Sequence, residues 1–320
     1  MGGVCSACMS DFSRSESHGE IESVYKHHST RKALPGVIKI QALWRGYSTR
    51  KNILSTHPEF FVKNSVRIEN LLGAFDYGNI VIPNTVKKPV YKFPNQQIYI
   101  GEWNIKTNLR EGRGVNIWKN GSKYEGFWKD DKANGRGRLI HNDGDVYEGD
   151  WLNDKASGKG LYIHADGSRY DGDWLEDKQH GRGSEKWPDG SSYEGQYEYG
   201  KKHGLGKFIW GDGSTYEGQF MNNNIHGKGE YHWSDGRSYN GMWKDNKMEG
   251  YGEFRWKDGK IFKGHYKKDK RHGEGVLEWP NGNKFVGNWK CGKQVGTGTM
   301  ISALGDEKKG VTLNSVPTNM

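Results

Sequence analysis

The sequence predicts an all-β protein: an elongated, open antiparallel sheet of tandem β-hairpins, preceded by a short α-helical N-terminal segment. Three observations carry that expectation. The 320-residue chain is only 33% hydrophobic, with a mean hydropathy of −0.96, yet it holds 13 Trp, 17 Tyr, 11 Phe and 47 Gly. Rings bury a large area at few positions, so this balance suits a thin glycine-rich sheet better than a thick core, and a disordered polar chain would be poor in aromatics. The second observation is an aromatic-x-Gly-x-aromatic pattern that returns every 23 residues from Tyr124 onward. The third is an Asn-Gly or Asp-Gly pair in eight of the nine periods, a strong hairpin signal between aromatic runs. No run approaches the roughly 18 apolar residues of a membrane-spanning helix.

The N-terminal elements come first in chain order. Residues 1–34 are expected to form a flexible, lipidated arm. They open M-G-G-V-C-S, which fits the acceptor pattern for N-myristoylation at Gly2, with Ser6 as its hydroxyl residue. Cys5 and Cys8 stand where a myristoyl anchor would present them for palmitoylation, and two lipids hold a protein far better than one. With Cys291 these are the only cysteines, too few for a disulfide framework, and no apolar stretch after the start reads as a secretory leader. The protein is expected to be cytoplasmic and peripheral to a membrane.

Residues 35–75 are expected to be helical. Ile40, Leu43, Trp44 and Tyr47 recur at helical spacing, and Lys39, Arg45, Arg50 and Lys51 make the stretch basic. Basic amphipathic helices are what calmodulin-like proteins grip. The run Ile40-Gln41-Ala42-Leu43-Trp44-Arg45-Gly46-Tyr47-Ser48-Thr49-Arg50 resembles an IQ motif. That resemblance implies calmodulin or another EF-hand protein such as centrin as partner, held by Ile40, Gln41, Trp44, Arg45, Gly46, Tyr47 and Arg50. Residues 59–74 form a second amphipathic stretch, expected to stop at Gly73 and to cap the exposed edge of the first hairpins. Residues 76–93 read as a connector or an extra strand.

The repeats occupy residues 94–300. Their first halves include Tyr99-x-Gly101-x-Trp103, Tyr124-x-Gly126-x-Trp128, Tyr147-x-Gly149-x-Trp151, Tyr170-x-Gly172-x-Trp174 and Tyr193-x-Gly195-x-Tyr197. The series continues at Tyr216, Tyr239, Phe262 and Phe285, nine units in all. A Gly-x-Gly follows in each, then a bulky residue three before the turn glycine, as in Trp210 before Gly213. Strand alternation puts Tyr124, Gly126 and Trp128 on one face and Glu125 and Phe127 on the other. The glycine leaves bare backbone over which a ring can lie. The Asn-Gly and Asp-Gly pairs, from Asn120-Gly121 to Asn281-Gly282, are expected to form two-residue turns with both residues at positive φ.

The stretch "YEGFWKDDKANGRGRLIHNDG" and its siblings resemble MORN repeats, the membrane occupation and recognition nexus motif. The departures lie at the ends, where Gln96 replaces a turn glycine and Val295 and Thr297 dilute the last unit. Those end units are expected to act as caps. The tail, residues 301–320, is expected to be a short edge cover or disordered.

The resemblance implies a scaffold, since proteins of this family build radial spokes and cortical cytoskeleton and tether membranes, as in junctophilins. An aromatic groove over Tyr124, Trp128, Tyr147, Trp151, Tyr170, Trp174, Tyr193, Tyr216, Tyr239 and Trp243 is expected to receive a cytoskeletal or ciliary partner. No catalytic constellation or cofactor motif is found, so an enzyme is not expected. The histidines His180, His203 and His226 stand one repeat apart, roughly 10 Å, and His272 two repeats further on, too far to share a zinc ion. The net charge of +9 is concentrated in the first 92 residues, with 13 Lys/Arg against 7 Asp/Glu. The near-balanced array therefore argues against nucleic acid and against a phospholipid-headgroup module. The favoured expectation is an adaptor that holds a ciliary or cortical complex at a membrane. The alternatives are that headgroup module, or a radial-spoke-like structural component without membrane attachment. Open sheet edges allow for a homodimer.

Overall fold

The computed structural model describes residues 72–313, which fall into two compact units divided between Pro188 and Asp189. The first unit holds β1 (Thr85–Lys87), β2 (Tyr91–Lys92), β3 (Ile98–Asn104), β4 (Arg110–Ile117) and β5 (Lys123–Lys129). It continues with β6 (Lys132–Ile140), β7 (Val146–Leu152), β8 (Lys155–Ile163), β9 (Arg169–Leu175) and β10 (Lys178–Lys186). From β3 onward each strand pairs antiparallel with the next, while β1 and β2 both pair with β3. The expected connector thus contains the strands that close this edge.

The second unit holds β11 (Ser192–Glu198), β12 (Lys201–Ile209), β13 (Thr215–Met221), β14 (Asn224–His232), β15 (Ser238–Lys244) and β16 (Lys247–Arg255). Then come β17 (Ile261–Lys267), β18 (Lys270–Glu278), β19 (Lys284–Lys290), β20 (Lys293–Ile301) and β21 (Glu307–Val311). It is the same antiparallel meander. The described part of the tail supplies β21, which pairs with β20 as an edge cover. Both outer edges are blunted against further pairing. Pro83, Pro89 and Pro94 flank β1 and β2, while Lys308, Lys309 and a left-handed Gly310 (φ 75°) sit in β21.

A row of facing glycines crosses each unit. Gly114 pairs with Gly126, Gly126 with Gly137, and Gly137 with Gly149. The tyrosine of each repeat lies over this bare strip. A Cβ on Gly126 would stand 2.5 Å from the Gly137 Cα and 2.6 Å from the Tyr124 hydroxyl. That hydroxyl donates to the Phe127 carbonyl at 3.0 Å, and the Trp128 indole donates to the Gly114 carbonyl at 3.1 Å. The ring expected to rest on the glycine is therefore the tyrosine two residues upstream on the same strand. A β-bulge falls between Gly126 and Trp128 in the pairing of β5 with β6, yet Tyr124 and Trp128 still share one face.

The rings on that face are the core. In the first unit an edge-to-face chain runs Tyr99, Trp128, Tyr124, Trp151, Tyr147, Trp174, Tyr170, with centroids 5.1–5.5 Å apart. In the second it runs Tyr193, Phe220, Tyr216, Trp243, Tyr239, Tyr266, Phe262, Trp289 at 4.9–5.8 Å. Each such pair adds about 0.5–1.5 kcal/mol beyond its area burial, so adjacent repeats reinforce one another.

The turns depart from expectation. At Asn142-Asp143-Gly144 only the glycine has positive φ, at 103°. Its N–H donates to His141 O at 3.1 Å, and the His141 N–H donates to Asp145 O at 2.8 Å. This is a type I turn followed by a left-handed glycine, not a two-residue type I′ turn. The two-residue turns lie at the other end of each hairpin, as at Asp130-Asp131 (φ 49° and 65°) and Asn153-Asp154 (φ 51° and 68°). Asp and Asn tolerate the left-handed region because their short polar side chains bond locally. Here they do more. Asp154 Oδ1 accepts from the Ala133 N–H at 2.7 Å while its own N–H donates to Ala133 O at 3.0 Å. The same clasp joins Asn246 to Ile225 and Asp269 to Met248, holding each repeat to the one before it.

Candidate docking surfaces

The ten rings expected to line a groove are buried: Tyr124, Trp128, Tyr147, Trp151, Tyr170, Trp174, Tyr193, Tyr216, Tyr239 and Trp243 are each no more than 6% exposed. The glycine strip and the edge-to-face rings of the same and adjacent repeats cover them. A partner would instead meet the opposite sheet face, the margins of turns, or half-buried rings beside the turns such as Trp210 and Trp233, which stand in a tilted ladder with the buried Tyr231 and Phe254 in the second unit.

On the opposite face the first unit already carries an occupant. Residues 73–80 cross it as a strap. Phe75 packs on Tyr77, and Tyr77 sits edge-on over Phe127 at 5.6 Å. The Arg138 guanidinium pairs with Glu148 at 2.7 Å and donates to the Gly73 carbonyl at 2.7 Å, and Arg113 donates to the carbonyls of Gly78 (3.3 Å) and Ile80. Residues 59–71 of the expected cap lie outside the described residues; its end at Gly73 leads into the strap over this face, while β1 and β2 hold the edge. Gly73 does take the left-handed conformation of a helix stop (φ 76°).

Two repeat carboxylates are engaged on this face: Glu125 pairs with Lys123 at 3.1 Å and Glu148 with Arg138. Asp145 gathers a cluster at the Asp-Gly margin of the first unit, accepting from Tyr162 Oη at 2.8 Å and Ala165 N at 2.8 Å, with His164 Nδ1 at 3.2 Å. Burial opposes charge on His164, but the hydrogen bond and charge of Asp145 outweigh it and hold the imidazole above its ordinary value. Burial likewise raises the Asp145 carboxyl, and the His164, Ala165 and Tyr162 hydrogen bonds more than reverse that.

Of the histidines one repeat apart, His203 Nδ1 faces Glu198 at 3.5 Å and His226 Nδ1 faces Asp245 at 3.7 Å. Among the described residues no group of three or more His, Cys, Asp or Glu is placed to hold a metal ion. Gly2, Cys5, Cys8 and the IQ-like residues Ile40, Gln41, Trp44, Arg45, Gly46, Tyr47 and Arg50 lie outside the described residues. The clasping Asp or Asn that is second in most of the two-residue turns escaped sequence reasoning. Its signal was the recurring Asp or Asn one residue before a lysine, as in Asp131-Lys132 and Asp154-Lys155.

The MORN repeat family matches nine consecutive segments, residues 99–123, 124–146, 147–169, 170–192, 193–215, 216–236, 239–261, 262–284 and 285–306. The IQ calmodulin-binding motif matches residues 35–54. No curated protein matches the chain. Among solved structures, the chain is similar to the SAS-4 (dCPAP) TCP domain of Drosophila melanogaster in complex with a proline-rich motif of Ana2 (dSTIL), at 13% identity. That alignment covers 68% of this chain and 97% of that one, with a TM-score of 0.22. A point mutant of the TCP10 domain of Danio rerio CPAP aligns at 10% identity over 70% of this chain and 99% of the other, with a TM-score of 0.23. With repeats filling more than half of its length and an IQ calmodulin-binding motif ahead of them, the chain belongs to the MORN-repeat family.

Proposed function

We propose that the protein is a non-enzymatic adaptor that holds a ciliary or cortical cytoskeletal complex at a cytoplasmic membrane surface and carries a calmodulin-like sensor. The observation that carries this reading is the joining of nine MORN repeats to an IQ motif in one chain. The array supplies a rigid surface and the motif supplies a grip for an EF-hand protein. Lipids at Gly2 with Cys5 or Cys8 supply the membrane hold, since two acyl chains anchor stably where one does not.

The test is fractionation of the full chain tagged at its C-terminus, beside Gly2→Ala and an IQ-face variant carrying Trp44→Asp and Arg45→Glu. The expected result is that Gly2→Ala moves the protein from membrane to soluble fractions while the IQ variant stays on the membrane and loses calmodulin in a pull-down. Retention of both variants on an insoluble axoneme or cortex would overturn the membrane hold and leave a structural, radial-spoke-like component. Retention on vesicles without lipidation would favour the headgroup-binding alternative.

A further inference from the structure

The two-residue turns of the second unit line one margin of its meander, and their charge changes along the chain. Each turn is flanked by a directly opposed residue pair. Those pairs are Glu198 with Lys201, Met221 with Asn224, Lys244 with Lys247, Lys267 with Lys270, and Lys290 with Lys293. The last three are lysine on lysine. Like charges directly opposite destabilise a strand pair, and here the arrangement is repeated three times in succession.

The fold does not require it. In the first unit the same pairs are Leu152 with Lys155 and Leu175 with Lys178, and the lone lysine pair, Lys129 with Lys132, encloses Asp130 and Asp131. The last three hairpins of the second unit read Lys244-Asp245-Asn246-Lys247, Lys267-Lys268-Asp269-Lys270 and Lys290-Cys291-Gly292-Lys293. The acid at the clasping position has become Asn246 in one and Gly292 in another. In the middle hairpin Asp269 gives one carboxylate oxygen to the Met248 N–H at 2.7 Å.

Lys244, Lys267, Lys268, Lys270, Lys290 and Lys293 are all exposed, and among the described residues no ammonium group of these six is in an ion pair. Glu249 does lie beside them, its Oε2 accepting from the Lys268 backbone N–H at 2.9 Å. Away from the margin, ion pairs of these repeats join Glu253 to both Arg255 and Lys263, Lys260 to Asp258, and Lys284 to Glu278. Arg271 adds a further cation behind the row, with its Nη2 on the Gly292 carbonyl at 3.0 Å.

We propose that this lysine margin binds an extended, glutamate- or aspartate-rich segment of a partner protein. Successive hairpins are two strands apart, about 10 Å, and an extended chain advances about 3.3 Å per residue. Side chains of a β-strand alternate faces, so the matching form is polyproline II, with three residues per turn and about 3.1 Å per residue; laid along the margin it brings every third side chain to a lysine pair, and about seven residues reach all three. A membrane fits the margin less well. The turn tips are Asp245, Asn246, Lys268, Asp269, Cys291 and Gly292; two are acids that would face an anionic plane, and none is a large apolar residue to insert. This contact requires neither lipidation nor the calcium sensor, so it stands or fails apart from the adaptor reading.

The test uses the unlipidated full chain and a fluorescein-labelled oligoglutamate peptide of about ten residues, read by anisotropy at low ionic strength. Combined Lys267→Glu, Lys268→Glu and Lys270→Glu is expected to weaken binding about tenfold or more, and the three glutamines at the same positions by less. Reversing Lys132, Lys155 and Lys178 in the first unit is expected to leave the affinity within about twofold, and added salt is expected to weaken the wild type. Circular dichroism checks that each variant is folded. Equal binding by the two charge-reversal variants would overturn the proposal. So would failure of the peptide to bind while phosphatidylserine-containing vesicles are retained through the same lysines.

Discussion

Phe127 in the first unit and Met242 in the second occupy the same position of the repeat, five periods apart, and meet opposite surroundings. Phe127 is 6% exposed beneath Tyr77 of the strap, whereas Met242 is 43% exposed, with Tyr251 (57%) and Leu205 (62%) on the same sheet face. The buried face is nearly invariant between the units: tyrosine over glycine, edge-to-face rings, a clasping Asp or Asn. The other face and the margins vary freely. A repeat therefore separates what holds the sheet together from what addresses its surroundings.

That comparison can be broken most directly by truncation. Phe127→Ala is expected to lower stability by about 3 kcal/mol, because it opens a cavity under the strap. Met242→Ala is expected to cost less than about 0.5 kcal/mol, as exposed substitutions do. Chemical denaturation of both variants measures the contrast, and equal losses would contradict the burial difference. The shared face should instead respond alike in both units. Gly126→Ala and Gly218→Ala each set a Cβ against the facing glycine's Cα and a tyrosine hydroxyl. Both are expected to cost about 2–3 kcal/mol through overpacking.

Arg138 sharpens the comparison further. Its side chain is only 5% exposed and serves both Glu148 and the Gly73 carbonyl. Arg138→Met is expected to cost about 2 kcal/mol and to raise amide exchange in residues 73–80, since it leaves a carboxylate and a carbonyl without their donor. At the equivalent position of the second unit, Glu253→Gln is expected to stay within about 0.5 kcal/mol.

The smallest effect concerns pH. Where the second unit has Ser191 and Ser214 accepting from the Gly211 and Ser234 N–H groups, the first has Asp145 holding His164. A folded-state imidazole value raised above about 6.5 contributes stability that is fully present below that pH and is lost as pH rises through the folded value. His164→Gln should thus lower the melting temperature more at about pH 5 than at about pH 8, by the equivalent of less than about 1 kcal/mol. An equal loss at both values would show that Asp145 does not favour the charged ring.

The hairpins, their period and the residues of the core were legible in the sequence, because a 23-residue repeat in register leaves one way to alternate rings and glycines across a strand. Tyr124 and Trp128 were recognisable as a shared face before any coordinates. Their availability to a partner was not. A ring pattern records that a face is apolar, but whether a neighbouring repeat covers it depends on pairing register, and here the Tyr and Trp of adjacent repeats close over each other. The turn types escaped for a related reason: Asn-Gly and Asp-Gly serve both two-residue turns and longer type I turns, and only strand register separates them.

By itself, then, the sequence determined the all-β class, the repeat boundaries, the glycine strip and the IQ motif, all of which follow from local spacing and residue type. Tertiary structure alone decided that the aromatic rings form a sealed core, that Asp131 and Asp154 staple one repeat to the one before it, and that residues 73–80 cross a sheet face. Those outcomes depend on contacts between groups about twenty to sixty-five residues apart, as with Arg138 and Gly73. Sequence spacing cannot specify such meetings, because they arise when strand pairing brings distant backbone within hydrogen-bond reach.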